Sequence, residues 1–104
     1  MNFRGGLTPL ILQNLSRGPN HGYRIAQDIK EKSGGVLDFK EGALYPALHG
    51  LEGKGLIESF SQEEKGRIRC YYRLTRKGKA ALGKEREAWL RYSSAMNLAF
   101  GESS

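Results

Sequence analysis

Residues 41–75 read EGALYPALHGLEGKGLIESFSQEEKGRIRCYYRLT, and this stretch decides the fold. Leu44, Leu48 and Leu51 stand at i, i+4 and i+7, the narrow apolar stripe of a helix beginning near Glu41. Gly53 and Gly55 bracket its end. Pro46 removes an internal hydrogen bond, which asks for a slight kink or a start near Gly42. Two strand-like runs follow, about Leu56 to Gln62 and Arg67 to Leu74. In the second, Ile68, Cys70, Tyr72 and Leu74 alternate with Arg67, Arg69, Tyr71 and Arg73, which turns Cys70 inward. Glu63-Glu64-Lys65-Gly66 supplies a polar turn, so the stretch reads as a helix followed by a β-hairpin.

Upstream lie two further helices. Thr8-Pro9 reads as an N-cap with proline at the first helical position, followed by the apolar face of Leu10, Ile11, Leu12 and Leu15. Ser16-Arg17-Gly18-Pro19 breaks it. Asn20 is the expected cap of a second helix, whose Tyr23, Ile25, Ala26 and Ile29 recur at helical spacing. Gly34-Gly35 ends that helix.

Downstream, Thr75 caps a long last helix. Its stripe of Leu82, Trp89, Tyr92, Met96 and Phe100 is close to heptad spacing, and Gly101 to Ser104 are expected to fray. The fold class is therefore mainly α with a small β-hairpin. The expected layout is a winged helix-turn-helix over residues 1–75 and a C-terminal dimerisation helix over 76–104, in one compact unit. The first three helices are each too short to bury themselves and must pack together. A stripe as long as Leu82 to Phe100 exceeds what one small core needs, so it is expected to meet its own copy across a two-fold axis.

Charge narrows the function. The 104 residues carry 17 Lys and Arg against 11 Asp and Glu, a formal +6. That excess attracts a polyanion, either nucleic acid or an anionic membrane. The basic residues concentrate after the third helix: Lys65, Arg67, Arg69, Arg73, Arg76, Lys77 and Lys79, with no acid between the first and last. A helix-turn-helix places its second helix in the major groove of double-stranded DNA, and a basic hairpin beside it reaches phosphates.

Other classes fit less well. No nucleophile–base pair, phosphate-binding glycine loop or pair of acids in a plausible cleft is visible, so no enzyme is expected. His21, His49 and Cys70 are too scattered for a metal site, and no cofactor is expected. The single cysteine suits a reducing cytoplasm. No signal-peptide pattern and no membrane-length apolar run is present, so a cytoplasmic protein is expected. Glu85 and Glu87 in the last helix argue against a membrane-surface helix. The alternative of a different class is a winged-helix protein-interaction module that does not touch nucleic acid.

Several segments together resemble the PadR family of bacterial transcriptional regulators. They are His21-Gly22-Tyr23 with Ile25 and Ile29, then Glu41 to Leu48, then Leu51-Glu52 with Gly55-Leu56-Ile57, then Tyr71 to Thr75 with Gly78. The resemblance runs from about Leu7 to about Ala99, and the short length resembles the subgroup with one C-terminal helix. It implies a homodimeric winged-helix repressor on a pseudo-palindromic operator, often near its own gene. It also implies release by a small, frequently aromatic or cationic, effector. The family commonly has a capping residue before the Glu-Gly pair, where this chain has Lys40, which cannot accept a hydrogen bond.

With Leu44, Leu48 and Leu51 inward, the outward arc of the third helix holds Gly42, Pro46, His49, Gly50 and Gly53. Few side chains there can read a base edge bidentately. Close backbone approach is therefore expected, with contacts from Ala43, Tyr45, Pro46 and His49 plus readout of DNA shape. Tyr45 has two open roles, phosphate contact and packing at the core edge. Lys40, Lys65, Arg67 and Arg69 complete the expected DNA-binding set. Arg73, further from the tip, equally suits an internal carboxylate.

Overall fold

A computed structural model describes residues 6–101. The order is α1 (Leu7–Leu15), β1 (Asn20–His21), α2 (Gly22–Lys32), α3 (Glu41–Gly53), β2 (Ile57–Glu64), β3 (Arg67–Leu74) and α4 (Arg76–Ala99). The strands form one antiparallel sheet in the order β1-β3-β2. This is a winged helix-turn-helix followed by a long helix. The expected fraying at the C-terminus falls, for residues 102–104, outside the described residues.

The apolar stripes meet as their spacing demands. Ile11, Leu12 and Leu15 from α1, Ile25 and Ile29 from α2, and Leu44, Leu48 and Leu51 from α3 share one core with Ile57, Tyr72 and Leu82. Each such aliphatic side chain contributes about 2 kcal/mol on burial. Leu82, expected at a dimer interface, belongs instead to this core, because the first turns of α4 lie against α1.

Three local expectations are corrected. The first helix starts at Leu7 with Gly6 as its N-cap, at φ 59°, so Thr8 lies inside the helix and caps nothing. Pro9 is then its third residue, where an N–H would still lack an intrahelical partner. Asn20 is in β1, and the cap of α2 is His21, whose Nδ1 accepts from the Arg24 amide at 3.3 Å. The Asn20 side chain instead donates to Asn14 (2.9 Å) and Asp28 (3.3 Å), tying α1 to α2.

The hairpin turn contains only Lys65 and Gly66, at φ 52° and 79°. Both left-handed, they make the tight turn that matches strand twist. Ile68 and Cys70 are exposed, contrary to the alternation, although Cys70 lines a cleft with Gly22, Tyr45 and Tyr72. Tyr71 is buried although it lies on the other face, since pairing with β1 sets it edge-on to His21, 5.4 Å between rings.

The base of the wing is locked to α4. Thr75 caps α4, its hydroxyl accepting from the Gly78 amide at 3.0 Å while lying 2.7 Å and 3.0 Å from the Gly55 and Leu56 carbonyl oxygens. A Cβ at Gly78 would collide with the Leu56 carbonyl oxygen, so only glycine lets the chains approach this closely.

Candidate nucleic-acid interface

The third helix turns its leucines inward and leaves Gly42, Ala43, Pro46, His49, Gly50 and Gly53 exposed. A Cβ built at Gly42, Gly50 or Gly53 meets no atom within 4 Å, so this arc packs against no other part of the described chain. Pro46 sits inside the helix, in its second turn, and removes the bond to the Gly42 carbonyl. Lys40 is the N-cap and makes no capping hydrogen bond.

Charged groups flank this arc, several already engaged. Lys40 pairs with Asp38 at 3.0 Å, and Lys30 approaches the same carboxylate at 3.6 Å. The hydrogen bond from Lys40 is the main reason the Asp38 carboxyl sits below the usual carboxylate range. At the wing, Arg69 pairs with Glu64 at 3.4 Å and Arg73 with Glu58 at 2.7 Å. Arg73 also lies 4.6 Å over the Phe60 ring. Lys65 and Arg67 form no ion pair among the described residues, and both are exposed. The strand register sets Glu58 directly opposite Arg73, whereas Glu64 stands opposite Arg67 and reaches Arg69 diagonally.

Tyr45 packs. It is half-buried against the core, and its ring lies on Gly22 at the start of α2. Sequence reasoning placed Tyr23 on the apolar face of α2, but it is 67% exposed. Tyr23 lines the cleft before α3 together with Lys40 and Tyr45, and a second cleft at the wing tip with Lys65 and Arg69. The starts of α2 and α3 and the wing tip therefore form one continuous surface. Arg24 and Gln27 belong to it and were also missed, because nothing in helical spacing marks an exposed polar face as a site.

Other predicted residues lie apart. Trp89 (49%), Tyr92 (40%), Met96 (38%) and Phe100 (75%) are exposed along α4, with Leu90 and Leu98 nearby. Trp89 also walls a cleft of about 530 Å³ with Leu10, Leu37 and Leu82. Among the described residues, no group of three or more His, Cys, Asp or Glu is placed to hold a metal ion. No described helix is long and apolar enough to cross a membrane.

Known proteins share this arrangement. A regulator from Clostridium thermocellum superposes with a TM-score of 0.83 at 34% identity, over 91% of this chain and 93% of that one. A PadR family transcription regulator from Clostridium difficile R20291 superposes with a TM-score of 0.79 at 33% identity, over 90% and 97%. The transcriptional regulator Rv3488 of Mycobacterium tuberculosis is 40% identical over 78 residues, 75% of this chain and 57% of that protein's length. The profile of the transcriptional regulator PadR-like family matches residues 11–84. The chain belongs to the PadR-like family of transcriptional regulators.

Proposed function

We propose that the chain is a cytoplasmic, homodimeric repressor that binds a pseudo-palindromic DNA operator. The observation that carries this reading is the exposed arc of α3, bare of protein packing and flanked by the basic wing tip. An α-helix fits the major groove. Gly42 and Gly50 let the backbone come close, so Ala43, Pro46, His49 and the free edge of Tyr45 meet bases. Lys40, Lys65 and Arg67 meet phosphates, with Arg69 beside them. Short side chains make DNA shape a large part of the recognition.

The α4 stripe supports the dimer. Trp89, Tyr92, Met96 and Phe100 offer a self-complementary apolar row that a two-fold partner covers. Such a pair presents two α3 helices to half-sites one helical turn, or a multiple of it, apart. The Trp89 cleft borders this row and includes Glu85, which suits a small aromatic or cationic effector whose binding releases DNA. Catalysis has no part in this reading.

Fluorescence anisotropy on a duplex from upstream of the protein's own gene, against a scrambled duplex at two salt concentrations, tests it. Preference for the native duplex, steep weakening with salt and a stoichiometry of two chains per site are expected. No binding to either duplex at low salt would overturn the reading and favour a protein-interaction module.

A further inference from the structure

Between the start of α2 and the wing tip lies a cleft of about 230 Å³. Tyr23, Arg24 and Gln27 of α2 form one wall, and Glu64, Lys65 and Arg69 of the wing form the other. Three cations thus face one carboxylate. That carboxylate is held at both oxygens, by Arg69 at 3.4 Å and by the Tyr71 hydroxyl at 3.2 Å. Arg24 and Lys65 have no ion pair among the described residues.

The walls are fixed relative to each other. His21 pairs with Tyr71 across β1 and β3, and its Nδ1 holds the Arg24 amide, so the point where Arg24 leaves the backbone is tied to the wing. The positive field reaches the His21 ring, whose protonation is disfavoured first by burial and then by Arg69 and Arg24. Through Tyr23 the cleft continues into the surface before α3.

We propose that this cleft receives a backbone phosphate of duplex DNA on Arg24 and Lys65, and that Glu64 competes with that phosphate for Arg69. The proposal rests on the reading of the chain as a DNA-binding protein. A phosphodiester offers oxygens for charge-assisted hydrogen bonds of the kind the Glu64 carboxylate already accepts, and guanidinium groups suit them. The Arg69–Glu64 pair is part-exposed on both sides, a weak type of pair that exchanges readily. Glu64 is thus a positioning residue that lowers DNA affinity.

Because phosphate contacts ignore sequence, a scrambled duplex serves as the probe, with the full-length chain titrated by anisotropy across a range of salt. Arg24→Ala is expected to lower the slope of log K against log salt by about 0.9 and weaken binding roughly fivefold to tenfold at low salt. Arg24→Lys keeps the slope. Glu64→Gln, which preserves the shape and an acceptor for Tyr71, is expected to tighten binding about threefold or more. Circular dichroism melts establish that each variant is folded. If the parent chain binds but Arg24→Ala keeps its slope, or Glu64→Gln binds more weakly, this assignment is overturned and the DNA-binding reading stands. If the parent binds no duplex, both fall.

Discussion

The Tyr45 ring lies against the backbone of Gly22: a Cβ at position 22 would stand 2.8 Å from its hydroxyl and 3.0 Å from two ring carbons. This contact sets how closely α3 rests on the start of α2. Gly22→Ala is therefore expected to cost about 1–2 kcal/mol by crowding. The cost should shrink in a Tyr45→Ala background, with a coupling of about 1 kcal/mol in urea denaturation. Full additivity would show that the two residues do not press on each other.

Lys65 occupies the left-handed region at φ 52°, the first position of a turn that asparagine fills with less strain. Lys65→Asn is expected to raise stability by about 1 kcal/mol while weakening DNA binding. The two effects are read by denaturation and by anisotropy. A variant that gains stability with no loss of affinity would remove Lys65 from the interface.

Gly78 admits no side chain beside the Leu56 carbonyl. Although alanine is the better helix former, Gly78→Ala is expected to destabilise by about 2–3 kcal/mol, because the obstacle is backbone. An unchanged denaturation midpoint would mean that the base of the wing can yield.

Burial, then the guanidiniums of Arg69 and Arg24, holds the His21 imidazole below its ordinary 6.5, against weaker opposite effects of Glu64 and Asp28. Its Nδ1 must stay unprotonated to cap α2. The folded state thus binds this proton less well than the unfolded chain. The stabilisation is complete above pH 6.5 and is lost as pH falls from there through the folded value. Melts from about pH 7.5 to about pH 5 should show this loss in the parent chain and a smaller one in His21→Asn, which caps without titrating. Equal losses would place the titrating group elsewhere.

Much of this architecture was legible because it rests on local rules. Gly34-Gly35, at φ 65° and 86°, ends α2, and Thr75 caps α4 as its place before the last stripe implied. What was not legible depends on partners distant in sequence. A two-residue strand at Asn20–His21 has no periodicity of its own, yet it moves the cap of α2 to His21 and buries Tyr71. Ile68 and Cys70 alternate properly but stay exposed, since alternation cannot say where a core stops. For the site, the arc of α3 followed directly from the phase of its leucines. The ion pairs that occupy Lys40, Arg69 and Arg73 needed the register and the loop before α3.

Met96 is 38% exposed in the middle of the α4 stripe. Met96→Glu is expected to convert a dimer into a monomer in sedimentation velocity. It should also weaken operator binding by about 100-fold or more, through loss of the second half-site. A variant that remains dimeric would move the interface off this stripe.

The central claim, that the bare arc of α3 and the wing read DNA as a symmetric pair, is tested most directly by selection from a random-sequence duplex pool with the full-length protein. The account predicts convergence on one pseudo-palindrome, with half-sites one helical turn, roughly 10 base pairs, or a multiple of it apart. A pool that binds and elutes without enrichment of any motif would contradict it.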